Sequence, residues 1–402
     1  MSARRRYLAV AAAAAMVFAA RPAGAETVVK VGVILTYSGQ NAQVGEWTDK
    51  GVSLYVKEHE KDLPPGVKIE IIRRDDTGSK PEVAKRLATE LITRDHVKLL
   101  TGVIWTPNAA AIAPVVTQAK LPFIVMVSAG STVPALSPYI VRVSFTEWQL
   151  IYPLGQWAAK QGWKTGYTMV SDFSPGWDAE IAFQKGFADG GGKLIGAVRV
   201  PFAESDLEPF VQRIKDAKPD VTYIFTPSGR QATQVMRTWR DLGMKDNKIH
   251  VVAGHQLVPD EELPNIGDVA LGVVSSGNYS PVTKRPANEK FLAAWQHEYG
   301  SAATAVPDFL SVQGWDGMDA IFDVIKKTGG KFDGDEAMNI LKHWSNPDSP
   351  RGPTSIDPAT RDVVQNVYMR RVEKVDGRLA NVEFETFKQV KGTVTGMMAG
   401  KK

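Results

Sequence analysis

The chain has no cysteine among its 402 residues. That excludes disulfide cross-links, thiol catalysis, thiolate metal sites and a lipoprotein anchor, and leaves the apolar core to supply the stability. Histidine is sparse. His59, His96, His250, His255, His297 and His343 are scattered, without a His-Glu-x-x-His or similar ligand spacing, so no metal and no cofactor is read, and a structural or surface role is assigned to most of them. Hydrolase and phosphate-loop signatures are missing too. No Gly-x-Ser-x-Gly elbow occurs, and Gly190-Gly191-Gly192-Lys193 lacks both the earlier glycine and the following hydroxyl of a phosphate loop. It reads as a helix-stop turn. Asp75-Asp76 invites a metal reading, but the residues that follow make a turn and a helix start the better one. Nothing positive argues for an enzyme.

Charge of one sign is also lacking. The formal net charge of +4 is carried by Arg4, Arg5, Arg6 and Arg21, so the chain beyond residue 25 is neutral. No basic cluster interleaved with aromatics appears, so no nucleic-acid partner is read. Past residue 25 no apolar run approaches the length of a membrane helix.

What is present begins at the N-terminus. A basic start at Arg4-Arg5-Arg6, an apolar stretch over residues 8–20 and the small residues Ala23-Gly24-Ala25 make residues 1–25 a cleavable export signal. Arg5-Arg6-Tyr7-Leu8 fits a twin-arginine pattern as well as an ordinary Sec signal, and either route leads to the periplasm. The mature chain starts near Glu26 and is long enough for two domains.

Strand and helix patterns then alternate in the manner of parallel sheets covered by helices, an α/β fold. Strands are expected near 28–35, 68–73, 97–103 and 123–127, with helices at 81–94 and 109–119. The cycle restarts with helices at 147–161, 179–189 and 231–242 and strands at 165–170, 194–200, 221–225 and 249–253. Residues 285–344 read as mainly helical, a proline-marked loop follows, and a final strand spans 363–372. Two cycles of similar build imply two similar lobes.

Several ordered segments carry a family resemblance. They are Gly32-Val33-Ile34-Leu35-Thr36-Tyr37-Ser38-Gly39 with Gly45, Asp75-Asp76 with Pro81-Glu82-Val83-Ala84, and Leu91-Ile92. Gly102 with residues 109–114, Pro122-Phe123-Ile124, Ser128-Ala129-Gly130-Ser131-Thr132 and Gly314-Trp315-Asp316-Gly317-Met318 follow. Together they resemble the solute-binding proteins of branched-chain amino-acid-type ABC transporters over about residues 28–375. The resemblance implies a type I periplasmic binding fold, two Rossmann-like lobes with parallel sheets joined by three crossing strands. The crossings are expected near Ser144-Phe145, residues 276–279 and residues 351–357. Lobe 1 is then 26–144 plus 279–350, lobe 2 is 145–278 plus 351–385, and 386–402 is a tail. A hinge closes the lobes around a ligand.

Ligands of open α/β sheets sit beyond the carboxyl ends of the strands, near helix N-termini. In the first lobe this points to Trp105 and Thr106 and to Ser128, Ala129, Gly130, Ser131 and Thr132, whose N–H and hydroxyl groups can hold a carboxylate. The same Ser and Thr residues serve equally as helix caps. In the second lobe the resemblance points to Phe173 and Trp177 as ring partners, to Ser228 and Arg230, and to His255 and Gln256. Arg230 either pairs with a carboxylate or is an exposed helix-start arginine. Trp105 and Trp315 are pocket wall or core, with core favoured for Trp315.

Amino-acid binders of the resembled family hold the ligand ammonium with an acid in the loop that here reads Gly254-His255-Gln256-Leu257. Without one a buried ammonium costs several kcal/mol, unless Asp172 takes the role. The expected ligand is therefore a benzoate- or phenylpropenoate-like aromatic acid, with a branched-chain or other amino acid as the alternative and a periplasmic sensor as a third class. A transmembrane permease of an ABC importer is the expected partner of a monomeric binding protein.

Overall fold

The computed structural model describes residues 26–39, 41–201, 204, 206–302 and 306–392. The export signal expected at residues 1–25 lies outside them. Among the described residues no helix is long and apolar enough to cross a membrane.

The first lobe opens with β1 (Thr27–Leu35), α1 (Ala42–His59), β2 (Val67–Asp75), α2 (Pro81–Thr93), β3 (Leu99–Gly102), α3 (Thr106–Ala119), β4 (Phe123–Val125) and β5 (Ile140–Arg142). Its five strands lie in the order β2-β1-β3-β4-β5, all parallel. The inner strands are continuous apolar runs because helices cover both faces. Leu99–Gly102 is buried throughout.

The chain then passes into the second lobe. There it forms α4 (Glu147–Lys160), β6 (Thr165–Ser171), α5 (Ser174–Asp189), β7 (Lys193–Val200), α6 (Glu208–Ala217), β8 (Val221–Phe225), α7 (Arg230–Asp241), β9 (His250–Gly254), α8 (Leu263–Ile266) and β10 (Val274–Gly277). It returns to the first lobe as α9 (Pro286–Tyr299), α10 (Phe309–Thr328) and α11 (Gly334–Leu341), with α9 and α10 packed on α1. It re-enters the second sheet through β11 (Ser345–Asn346), β12 (Thr354–Asp357), β13 (Asp362–Val375) and β14 (Arg378–Lys391). The order there is β11-β12-β13-β10-β9-β8-β6-β7, with β14 on β13.

Each lobe contains one tight helix crossing made by glycines. A Cβ on Gly51 of α1 would lie 1.9 Å from the Ser311 carbonyl oxygen of α10, and one on Gly314 would lie 2.2 Å from that of Thr48. Gly155 of α4 and Gly186 of α5 meet in the same way in the second lobe.

Helix α1, helix α6 and strand β14 are among the elements not foreseen; the short β5, α8 and β11 are others. Helix α1 carries glycines at positions 45 and 51, which weaken a helical pattern, and α6 is a short helix with two buried residues. Strand β14 runs into the span read as a tail. It is paired along most of its length with β13 through a two-residue Asp376-Gly377 turn. Both turn residues have positive φ, 49° and 79°, as a type I′ hairpin turn requires. Residues 393–402 lie outside the described chain.

Buried polar groups hold the crossings. Arg351 donates from Nη1 to the Ser144 carbonyl (3.0 Å) and Gln365 Oε1 (2.7 Å), and from Nε to Asp316 Oδ2 (2.7 Å). Gln365 Nε2 in turn donates to Ser144 O (3.0 Å) and Gln149 Oε1 (2.8 Å). One arginine thus fixes the first crossing to α10 and β13.

Candidate functional site

The carboxyl ends of strands in both sheets face a cleft between the lobes. It encloses about 470 Å3 of empty space, counting the part that opens outward. The first lobe lines it with Val44, Ile104, Trp105, Val127 and Ala129, together with Phe309 and Leu310 from the start of α10. Phe145 and Glu147 come from the first crossing. The second lobe adds Phe173, Pro175, Phe225, Pro227, Ser228 and Gln256.

The walls are aromatic and the lobes meet over them. His255 of the second lobe stacks on Phe309 of the first with ring centroids 3.7 Å apart, and Phe145 meets His255 edge-on at 4.6 Å. Phe173 and Phe225 lie 5.9 Å apart, centroid to centroid. Burial, with Arg370 and Arg351 nearby, pushes the His255 pKa well below its ordinary value. His255 is a neutral packing residue at physiological pH.

Among the described residues no Lys or Arg lines the cleft, and several helices begin on it. Trp105 precedes α3, Glu147 opens α4, Phe173 precedes α5, Ser228 sits just before α7, and Phe309 opens α10. Each helix N-terminus presents partial positive charge worth about 0.3–1 kcal/mol to an anion.

Behind the first-lobe wall the two sequence-selected loops brace each other. The Thr106 and Ser128 hydroxyls are 3.0 Å apart, and the Gly130 N–H donates to Thr106 Oγ1 at 3.1 Å. Arg142 Nη1 donates to the carbonyls of Ser128 (3.1 Å) and Gly130 (2.7 Å). Its guanidinium is held by Asp362, with both side chains fully buried. Trp105 Nε1 donates to Thr36 Oγ1 (2.9 Å), which donates to Asp76 Oδ1 (2.6 Å). Asp75 Oδ1 accepts from the Tyr37 and Thr77 N–H groups, so this acidic pair is turn and scaffold chemistry. Across the cleft, the Ser131 N–H donates to Asp178 Oδ2 at 2.9 Å.

Of the residues selected from sequence, Trp105, Ala129, Phe173, Ser228 and Gln256 line the cavity. Thr106, Ser128 and Gly130 support the wall, Ser131 contacts the opposite lobe, and His255 packs between two phenylalanines. Three lie elsewhere. Thr132 and Arg230 are exposed. Trp177 is 41 % exposed and donates from Nε1 to Asp172 Oδ1 at 2.7 Å, because the register of α5 turns Pro175 inward and Trp177 outward. Trp315 sits among Tyr55, His59 and Phe291 of the first lobe, away from the cleft.

Glu147 was not foreseen. It is 1 % exposed, and its Oε1 accepts from Gln256 Nε2 at 2.7 Å. Burial, reinforced by Asp178, raises its pKa well above the carboxylate range. A glutamate directly after a Thr146 helix cap reads as an ordinary dipole-stabilising residue, and its burial depends on a loop 109 positions away. The absence of an acid from residues 254–257 therefore does not leave the cavity without one. The carboxyl is supplied by the first crossing, and exposed Asp172 is not its source. Phe309 was also missed. The capping box of Asp308 with Ser311 marks the start of α10 there, a signal readable in sequence.

Comparison with known proteins agrees with this architecture. The family model described as Periplasmic binding protein matches residues 28–378. The Leu/Ile/Val-binding protein homolog 6 of Brucella melitensis is 38 % identical over 387 residues, covering 96 % of this chain and 97 % of the relative. A solute-binding protein of an ABC transporter from Rhodopseudomonas palustris BisB5, solved with 3,4-dihydroxybenzoic acid, is 43 % identical with a TM-score of 0.87, covering 92 % of this chain and 100 % of that one. An R. palustris solute-binding protein solved with 4-hydroxybenzoate is 39 % identical with a TM-score of 0.88 over the same shares. With its two-lobed α/β fold and the match along most of its length, the chain belongs to the periplasmic binding protein family of ABC-transporter solute-binding proteins.

Proposed function

We propose that this protein is the periplasmic binding component of an ABC importer and that its ligand is a small aromatic carboxylate of the benzoate type. The observation that carries the reading is a slot walled by Trp105, Phe145, Phe173, Phe225 and Phe309, beside which several helices begin and which no basic side chain lines among the described residues. Such a slot suits a flat apolar body bearing one delocalised negative charge. The Ser128–Ser131 loop, with the buried and unpartnered Ser131 hydroxyl, is the proposed holder of the carboxylate. The 3,4-dihydroxybenzoic acid and 4-hydroxybenzoate bound by two structural relatives point the same way.

The magnitudes are adequate. Burying a ring of roughly 150 Å2 contributes about 4 kcal/mol, and each charge-assisted hydrogen bond about 1.5–3 kcal/mol. After ordering and association costs, micromolar binding near about −8 kcal/mol is within reach. In this reading the lobes close on the ligand, the monomer presents its closed rims to a transmembrane permease, and no bond is made or broken. An amino-acid ligand is the second reading. It is favoured by the Glu147 carboxyl in the cleft and by the Leu/Ile/Val-binding relative.

A thermal-shift panel on the chain without residues 1–25 tests the choice. Benzoate, 4-hydroxybenzoate, phenylacetate and coumarate are run beside leucine, valine and phenylalanine, with calorimetry on each hit. Aromatic acids raising the melting temperature while amino acids do not is the expected result. The reverse pattern overturns it.

A further inference from the structure

The polar atoms of the cleft are unevenly distributed. On the first-lobe side the wall is apolar side chains and the braced backbone of the Ser128–Gly130 loop. Glu147, Ser228 and Gln256, from the first crossing and the second lobe, bring the polar side chains that line the cavity. Each of the three has a buried oxygen without a hydrogen-bond partner, namely Glu147 Oε2, Ser228 Oγ and Gln256 Oε1. Unpartnered buried polar atoms cost about 1–3 kcal/mol each, so three on one cavity mark a place where a ligand group completes the network.

The existing hydrogen bond fixes how they point. Gln256 Nε2 donates to Glu147 Oε1 at 2.7 Å, which leaves the amide oxygen and the second carboxyl oxygen as the open pair. We infer that Glu147, oriented by Gln256, is a specificity-determining residue that reads a ring hydroxyl, so that the ligand class is a hydroxylated aromatic acid rather than an unsubstituted one. The inference rests on the aromatic-acid reading above.

The chemistry matches a hydroxyl in both directions. Burial pushes the Glu147 pKa well above the carboxylate range, and in its protonated form the carboxyl O–H donates to the phenolic oxygen while Gln256 Oε1 or Ser228 Oγ accepts the phenolic hydrogen. A ligand carboxylate at this end would instead face the Gln256 amide oxygen and the Glu147 carboxyl group. That sends the ligand carboxylate to the opposite, first-lobe side. A ring bearing only hydrogen or methyl there leaves all three oxygens unpaired, which is how a hydroxyl-reading site rejects a close analogue.

Calorimetry at neutral pH tests this with ligand pairs of matched shape. Benzoate, 3- and 4-hydroxybenzoate and 3- and 4-methylbenzoate are titrated into the protein and into its Glu147→Leu variant. The better hydroxybenzoate is expected to bind at least about tenfold more tightly than benzoate and its methyl isostere, which corresponds to about 1.4 kcal/mol. In the Glu147→Leu variant that preference collapses to within about threefold, mainly through weaker binding of the hydroxy acid. Equal binding of hydroxy, methyl and unsubstituted acids by the unmodified protein overturns the inference, as does an unchanged preference in the variant. The isostere comparison needs no substitution, so it decides the matter even where the variant fails to fold. Binding of phenylalanine or leucine with silence from every aromatic acid is a different outcome. It overturns the parent reading and leaves Glu147 as the partner of an ammonium.

Discussion

Replacing Asp362 by alanine is expected to damage both the stability of the fold and the binding loop. Asp362 and Arg142 are fully buried, joined by Nε to Oδ1 at 2.8 Å and Nη2 to Oδ2 at 2.5 Å. The remaining guanidinium nitrogen holds the carbonyls of Ser128 and Gly130. Removing the carboxylate leaves an uncompensated buried charge, a loss of about 3–5 kcal/mol. At about 2–4 °C per kcal/mol for a unit of lobe size, the melting temperature falls by about 6–20 °C. Differential scanning calorimetry measures this directly. The joint replacement Arg142→Met with Asp362→Leu removes the orphaned charge and is expected to recover most of the melting temperature, because well-packed apolar groups often match a buried ion pair. It does not restore the clamp on Ser128 and Gly130, so ligand affinity stays reduced. A single Asp362→Ala variant melting within about 2 °C of the parent refutes the reasoning.

Three further outcomes follow from the same geometry. Phe309→Ala removes one wall of the slot and the partner of His255, and is expected to weaken aromatic-acid binding by about 1.5–3 kcal/mol, read by calorimetry; an unchanged Kd contradicts its assignment as a wall. Trp177→Ala and Arg230→Ala lie off the cavity and are expected to leave the Kd within about twofold, whereas a larger loss would return them to the site. Glu261, on the loop after β9, and Asp308, at the start of α10, are buried carboxyls in each other's field, and burial raises both, Asp308 to about 6. Their stabilising contribution is complete below the ordinary carboxylate range near 4 and is lost as pH rises through about 6. Glu261→Gln is therefore expected to gain in melting temperature relative to the parent as pH rises from about 4 to 7, and a pH-independent difference in thermal melts would count against the pair.

Much of the fold was legible because buried parallel strands are apolar throughout. Val221–Phe225 is buried at all five positions, and its bounds are those read from the sequence. Helix α1 was hidden by its glycines, whose purpose appears only where Gly51 meets Gly314 across the interface with α10. Strand β14 was hidden by its exposed outer residues, although Asp376-Gly377 announced the hairpin. Of the residues selected at strand ends, Trp105, Ala129, Phe173, Ser228 and Gln256 line the cavity. Trp177, selected for its ring, has its side chain turned away from the cavity by one helical register. Glu147 was out of reach for a physical reason. Nothing local distinguishes a solvated helix-start glutamate from one enclosed when a distant loop folds over it.

The most direct test of the central claim is a crystal structure of the protein without residues 1–25, grown with 4-hydroxybenzoate. The account predicts the ring in the slot bounded by Phe145, Phe225 and Phe309, the carboxylate on the Ser128–Ser131 side and the hydroxyl within hydrogen-bond distance of Glu147 or Gln256. A ring bound outside the cleft contradicts it, and so does a cleft that rejects the acid and holds an amino acid with its ammonium on Glu147.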